Sequence, residues 1–224
     1  MKVISDIFIK SRFSAGLQIC TIIVLTAMQS ACMGNSAPSR PTYYYTLDYH
    51  SPSVRFNHQL PATLRVERFT VSPPFHTQRI IYADKGTKRN SYAYHQWIAP
   101  PGELLPYFLV RDLRKTNGFK AVLTPDASLS ATHSLHGWVE EFIEKDGNPN
   151  CDAKAIIHIS LINNLNPDPT QKIMLQKRYQ AAAPCKARTP AALSEAMSAV
   201  LAKISTDVTK DIHGRLSTAA TLKY

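Results

Sequence analysis

Glycine is scarce in this chain, with 8 residues in 224, about half the average usage. No G-x-x-x-x-G-K-[ST] loop can be written from them, which excludes nucleotide binding of that kind. There is no G-x-S-x-G turn for a serine nucleophile and no H-E-x-x-H pair for a catalytic zinc. Acidic residues are also few, 16 against 26 Lys and Arg, so the formal charge is +10. Such a surface favours acidic partners. Four cysteines are present, with no second Cys or His near Cys151 or Cys185 at metal-ligand spacing.

Long apolar runs are equally rare. The exception is Phe13–Met28, 16 residues without a charged side chain. A helix of that length is short for a bilayer core, which needs about 20 residues. Lys2, Lys10 and Arg12 precede it, and the small residues Ser30 and Ala31 follow. A basic start, a short apolar stretch and a small-residue cut site read as a secretory signal. Cys32 comes next and resembles the lipobox cysteine, which is acylated (palmitate among its chains) and becomes the mature N-terminus. Gln29 stands where that motif usually has Leu. Cys20 has Leu17 at the right distance, but bulky Ile19 at its cut site disfavours it. A plain secreted protein, or an anchor retaining residues 13–31, are the alternatives. Met33, rather than Asp, after the cysteine favours the outer membrane for a lipoprotein of this kind.

Residues 1–31 are therefore read as a signal peptide, 32–42 as acylated cysteine and tether, and 43–224 as one domain. The 193 residues that remain can bury about 70% of their unfolded surface. Losing the signal removes three basic and one acidic residue and leaves a charge of +8. Outside the cytoplasm nucleic acid is not the expected partner. Anionic lipid head groups or an acidic protein face are, unless the excess simply keeps the surface solvated. Cys151 and Cys185 form an even pair in an exported chain and are read as a disulfide.

Periodicity places the elements. Residues 43–49, 63–71, 79–84, 89–97, 119–123, 134–147, 153–165 and 172–181 read as strands. In "TLRVERFTV" the apolar phase slips between Val66 and Phe69, which predicts a bulge or a change to two-sided burial. Leu105, Leu109 and Leu113 predict a mid-chain helix stopped at Asn117-Gly118, with Pro106 in its first turn. Thr189, Pro190 and a stripe of Leu193, Met197, Val200, Leu201, Ile204, Val208 and Ile212 predict a helix over about 189–215. The expected fold is a single α+β domain: a mainly antiparallel sheet, one mid-chain helix, and a long C-terminal helix packed on it.

Candidate chemistry is thin. His133 and His136 are three apart on a strand and point to opposite faces, a poor metal pair. Glu140, Glu141 and Glu144 include two, Glu140 and Glu144, placed to share a face as in a glycosidase, although a solvated strand is the simpler reading. The aromatics are more distinctive. Tyr43, Tyr44 and Tyr45 follow the tether, and Tyr92, Tyr94 and Trp97 lead into "IAPP". Tyr and Trp suit half-apolar, half-wet surfaces, although these aromatics fit a core equally well, Trp97 and Leu104 better than the rest.

The order "YYYTL", "LRVERFTV", "RIIYADK", "SYAYHQWIAPPGELLPYFLVRDL", "FKAVL", "LHGWVEEF" and a Leu/Ala-striped terminal helix resembles the PqiC-like ABC-type transport auxiliary lipoproteins. The most specific segment is Tyr92-x-Tyr94-x-x-Trp97-x-x-Pro100-Pro101. The resemblance covers roughly residues 43–216. It implies a non-enzymatic outer-membrane lipoprotein, without cofactor, facing the periplasm of a Gram-negative bacterium. It also implies an MCE-domain partner served by a permease and an ATPase, movement of phospholipid or similar molecules, and assembly as a homo-oligomer. The aromatics at 43–45, 92, 94 and 97 are then the expected partner-binding residues. Two other classes remain: a lipid-binding module with a pocket lined by Phe108, Leu109 and Met197, and a periplasmic hydrolase using Glu140, Glu141 or His136.

Overall fold

The alternation Ala153, Ala155, Ile157, Ile159, Leu161 builds strand β8 (Cys151–Asn163), and all five side chains are 2% exposed or less. The structure, a computed structural model, describes residues 40–83, 86–147 and 150–221. The signal segment, Cys32 and tether residues 33–39 lie outside them. The folded unit begins at Thr42. Among the described residues no helix is long and apolar enough to cross a membrane.

β8 lies antiparallel between β7 (His133–Asp146) and β9 (Ile173–Pro184). The other edge of β7 is shared by three short parallel strands. β2 (Leu60–Val66) meets it at Leu135, β3 (Thr70–Val71) at Trp138 and Val139, and β4 (Arg79–Ala83) at Glu144. The phase slip after Val66 is thus a break into two strands on one partner, not a bulge. Glu67 N–H still donates to Leu135 O at 2.9 Å, and the chain rejoins the ladder at Thr70.

β5 (Arg89–Trp97) runs antiparallel to β4, after a turn where Gly86 takes φ +73°. β1 (Tyr43–Tyr45) runs parallel to β5, and β6 (Phe119–Leu123) parallel to β2. The nine-stranded sheet is therefore mixed: the long β7–β8–β9 meander and the β4–β5 hairpin are antiparallel, as expected, and the short flanking strands add parallel pairs. Hairpins are local and show in the sequence; the parallel partners are brought together by long crossovers and do not.

Helix α1 (Pro101–Lys115) buries Leu105, Phe108, Leu109 and Leu113. It starts at Pro101, so Pro106 sits in the second turn, one turn deeper than expected. A proline there leaves the carbonyl four residues back without its helical donor. That carbonyl belongs to Gly102, and it accepts from Phe69 N–H at 3.1 Å instead. A Cβ on Gly102 would lie 2.6 Å from Phe69 O and 2.8 Å from Val71 Cγ2, so the close approach needs glycine. The helix ends where Asn117 takes φ 56°, with Thr116 Oγ1 donating to Leu113 O at 2.7 Å.

Helix α2 (Pro190–Thr221) starts at the Thr189 cap, whose Oγ1 accepts from Ala192 N–H at 3.2 Å. Its seven-residue apolar stripe is 3% exposed or less throughout. Each such side chain contributes about 1.5–3 kcal/mol of burial. The helix packs on β8 and β9 and touches α1. A void between the helices and the sheet, lined by Leu105, Leu109, Ile157 and Val208, measures about 10 Å³. Phe108, Leu109 and Met197 are packed core residues, 6%, 4% and 0% exposed. That packing corrects the expectation of a lipid pocket among them. Cys151 and Cys185 are disulfide-bonded and tie the start of β8 to the residue after β9.

Candidate docking surface

The first strand among the described residues is aromatic and lies at a sheet edge. Tyr43, Tyr44 and Tyr45 pair with His95, Gln96 and Trp97 of β5. Alternation sends Tyr43 and Tyr44 to opposite faces, 54% and 57% exposed. Tyr43 stacks on the His95 ring at 5.3 Å and 16°, and the Tyr45 hydroxyl shares a 2.9 Å hydrogen bond with His95 Nδ1. Tyr92 meets the same ring edge-on at 5.9 Å and packs against Tyr82 at 5.0 Å. The tether-proximal tyrosines and the hairpin tyrosine thus form one cluster centred on His95.

β5 is irregular here. From Ile81–Ser91 to Arg79–Gln96, two steps along β4 are matched by five along β5. The extra residues carry Tyr92, Tyr94 and His95 out of the regular ladder. Tyr94 is 40% exposed and Ile98, just past the strand, 53%. Trp97 differs: it is 2% exposed and packs on Phe142 at 5.1 Å, so it belongs to the core and offers nothing to a partner.

Beneath the cluster, the Tyr92 hydroxyl donates to Glu144 Oε2 at 2.9 Å. Glu144 is 3% exposed. Burial pushes its carboxyl above the usual range and outweighs the Tyr92 hydrogen bond, which acts the other way. Burial, then the bond to Glu144, pushes the Tyr92 hydroxyl well above its ordinary value.

The carboxylates do not form an acid–base pair. The β7–β8 register shifts between Val139 and Glu141, and this bulge moves Glu144 onto the core face with Phe142. Glu140 stays on the outer face, bonded to His158 Nε2 at 2.6 Å and accepting from Arg178 Nε at 3.1 Å. The expected shared face of Glu140 and Glu144 is therefore broken. Hydrogen bonds from His158 and Arg178 hold Glu140 below the usual carboxylate range. Burial raises Glu141, but hydrogen bonds from Lys154 and Lys145 outweigh it and hold it low as well. Two carboxylates both held ionised supply no general acid. His133 shares a 2.8 Å hydrogen bond with Thr132 Oγ1, and His136 is exposed. Among the described residues no three His, Cys, Asp or Glu side chains are grouped to hold a metal ion.

Sequence reasoning missed His95, Tyr82 and Ile98. His95 lies inside the quoted "YAYHQW", and its central place depends on the bulge and the parallel β1 contact, neither of which has a local signature.

A family model described as "ABC-type transport auxiliary lipoprotein component" matches residues 45–209. The chain belongs to that family. No protein of curated function matches the chain. Protein XCC0632 from Xanthomonas campestris is similar in fold, with 18% identity, a TM-score of 0.63, and coverage of 80% of this chain and 97% of that one. A second solved structure, described as an uncharacterized protein, shows 13% identity and a TM-score of 0.60, over 77% of this chain and 99% of the other. These likenesses speak to the fold. The family assignment makes the chain an auxiliary lipoprotein component of an ABC-type transport system.

Proposed function

We propose that this auxiliary component is an outer-membrane lipoprotein that docks the periplasmic MCE-domain protein of an intermembrane lipid transport system. It is acylated at Cys32 and performs no catalysis of its own. The observation that carries the reading is the position of the aromatic cluster. The edge strand Tyr43–Tyr45 begins one residue into the folded unit, where the tether delivers it, and is fused through His95 to the Tyr92–Tyr94 bulge. A partner bound there meets the N-terminal edge strand of the folded unit. Exposed Tyr44, Tyr94 and Ile98 are the residue types that anchor interfaces, because they bury large area with few rotamers to freeze. The paired carboxylates on β7 and the packed core between helices and sheet favour this reading over a hydrolase or an internal lipid carrier.

The test is photo-cross-linking in cells, with a photoreactive phenylalanine placed at Tyr44 or Tyr94. A cross-link to an MCE-domain protein from either position, and none from Gln176 on β9, is the expected result. Cross-links from Gln176 alone would move the interface elsewhere.

A further inference from the structure

A groove of about 550 Å³ opens between α1 and the segment Thr124–Asp126, away from the tyrosine cluster. Four of its lining residues are cationic, Arg68, Arg111, Arg114 and Lys115, against two acidic, Glu103 and Asp126. Arg111 is already committed: its guanidinium bonds Asp112 Oδ1 at 2.8 Å and lies over Tyr49 and Phe108. Among the described residues Arg114 spends only Nε, donating to Val122 O at 2.9 Å. Lys115 has no partner among the described residues. Arg68 faces Asp126 at 3.1 Å, but both side chains are largely exposed, at 63% and 76%. Exposed pairs of this kind contribute little, so a better-placed anion can displace Asp126.

The walls between these cations are apolar. Pro106, Val110 and Pro125 line them, and Tyr107 stands at the rim, 67% exposed. The volume falls in the range of small-molecule sites, about 300–1,000 Å³. A cationic rim on a concave apolar wall matches one small molecule with an anionic head and an apolar body.

We infer that this groove binds the phosphate-bearing head of an anionic amphiphile, with Arg68, Arg114 and Lys115 on the phosphate and Tyr107, Val110 and Pro106 against the first apolar carbons. Salt weakens such binding, since the three cations act near the surface. The inference rests on the groove alone, so the docking proposal can fail without it, and it can fail without the docking proposal.

The probe is dihexanoyl phosphatidylglycerol below its micelle concentration, titrated calorimetrically into the folded protein. Dihexanoyl phosphatidylcholine, glycerol phosphate and a short poly-glutamate peptide are the comparison ligands. Saturable binding of the anionic lipid is expected, with each comparison ligand weaker by about tenfold or more: phosphatidylcholine brings a cation to a cationic groove, and glycerol phosphate lacks the apolar body. The Arg68→Gln, Lys115→Glu double variant should lose a similar factor, and Tyr107→Ala should weaken the lipid while leaving glycerol phosphate unchanged. Both altered sites are exposed, and an unchanged melting curve confirms the fold. Equal binding of the zwitterionic lipid, phosphate binding as tight as the lipid, tighter peptide binding, or an unaffected double variant would each overturn the inference.

Discussion

The Tyr49 hydroxyl donates a 2.7 Å hydrogen bond to Oδ2 of Asp112, a carboxylate only 1% exposed. Ser205 Oγ donates to the same oxygen at 2.6 Å, and Arg111 Nε to Oδ1 at 2.9 Å. One side chain on α1 thus joins the segment after β1 to the middle of α2. Burial, then the Asp112 charge, pushes the Tyr49 hydroxyl well above its ordinary range. Asp112→Ala strands three donors, one of them charged, and should cost about 3–5 kcal/mol in denaturant unfolding. Tyr49→Phe removes a single donor and should cost about 2 kcal/mol.

The disulfide gives a second expectation. Cys151 and Cys185 are 34 residues apart in sequence. The loop-entropy account assigns such a link about 4 kcal/mol. A Cys151→Ser, Cys185→Ser variant should show a correspondingly lower urea midpoint, and reductant should lower the parent protein's midpoint but not the variant's.

Gly102→Ala tests the contact between α1 and the β2–β3 connection. The new methyl meets backbone oxygen and Val71 at under 3 Å, so α1 must shift. A loss of about 1–3 kcal/mol is expected by thermal unfolding, where an ordinary helix Gly→Ala change would stabilise.

Two buried groups predict opposite pH trends. His213 stacks on Phe56 at 3.5 Å and 3°, with His58 and Phe119 beside it. Burial, then the His58 charge, holds its pKa below 6.5. Its contribution to stability is therefore present above pH 6.5 and is lost as pH falls through the folded-state value. His213→Phe should flatten the stability profile in that acidic window.

Glu144 has the reverse sign. Its raised pKa means stability is full below 4.5 and is lost as pH rises through the folded value. Glu144→Gln keeps an acceptor for Tyr92 and removes the buried charge. It should be at least as stable as the parent at pH 7, with no advantage at pH 4, as read by urea midpoints at each pH.

What the sequence made legible was local. β8 and α2 follow from periods of 2 and 3.6 that no distant contact overrides, and the Thr189-Pro190 start is a cap chemistry contained in adjacent residues. The tyrosines at 43–45 and at 92 stand out in the sequence as two separate aromatic stretches; that Tyr43, Tyr45 and Tyr92 meet around His95 is seen only in the fold. The rest depends on residues far apart in the chain. The parallel partners of β7 are separated from it by whole elements. The bulge near Glu140 reverses the face of Glu144. Pro106 is tolerated in the second turn because Phe69, more than thirty residues earlier, supplies the missing donor. Trp97 is buried because β7 places Phe142 against it, which decides for the core reading that the sequence offered beside the interface one.

The most direct test of the central claim is affinity purification of the full chain from membranes in mild detergent, through a C-terminal tag, read by mass spectrometry. An MCE-domain protein in the eluate, and an N-terminal peptide beginning at acylated Cys32, are the predicted result. A protein recovered without any transporter component, or with an unmodified N-terminus, would contradict it.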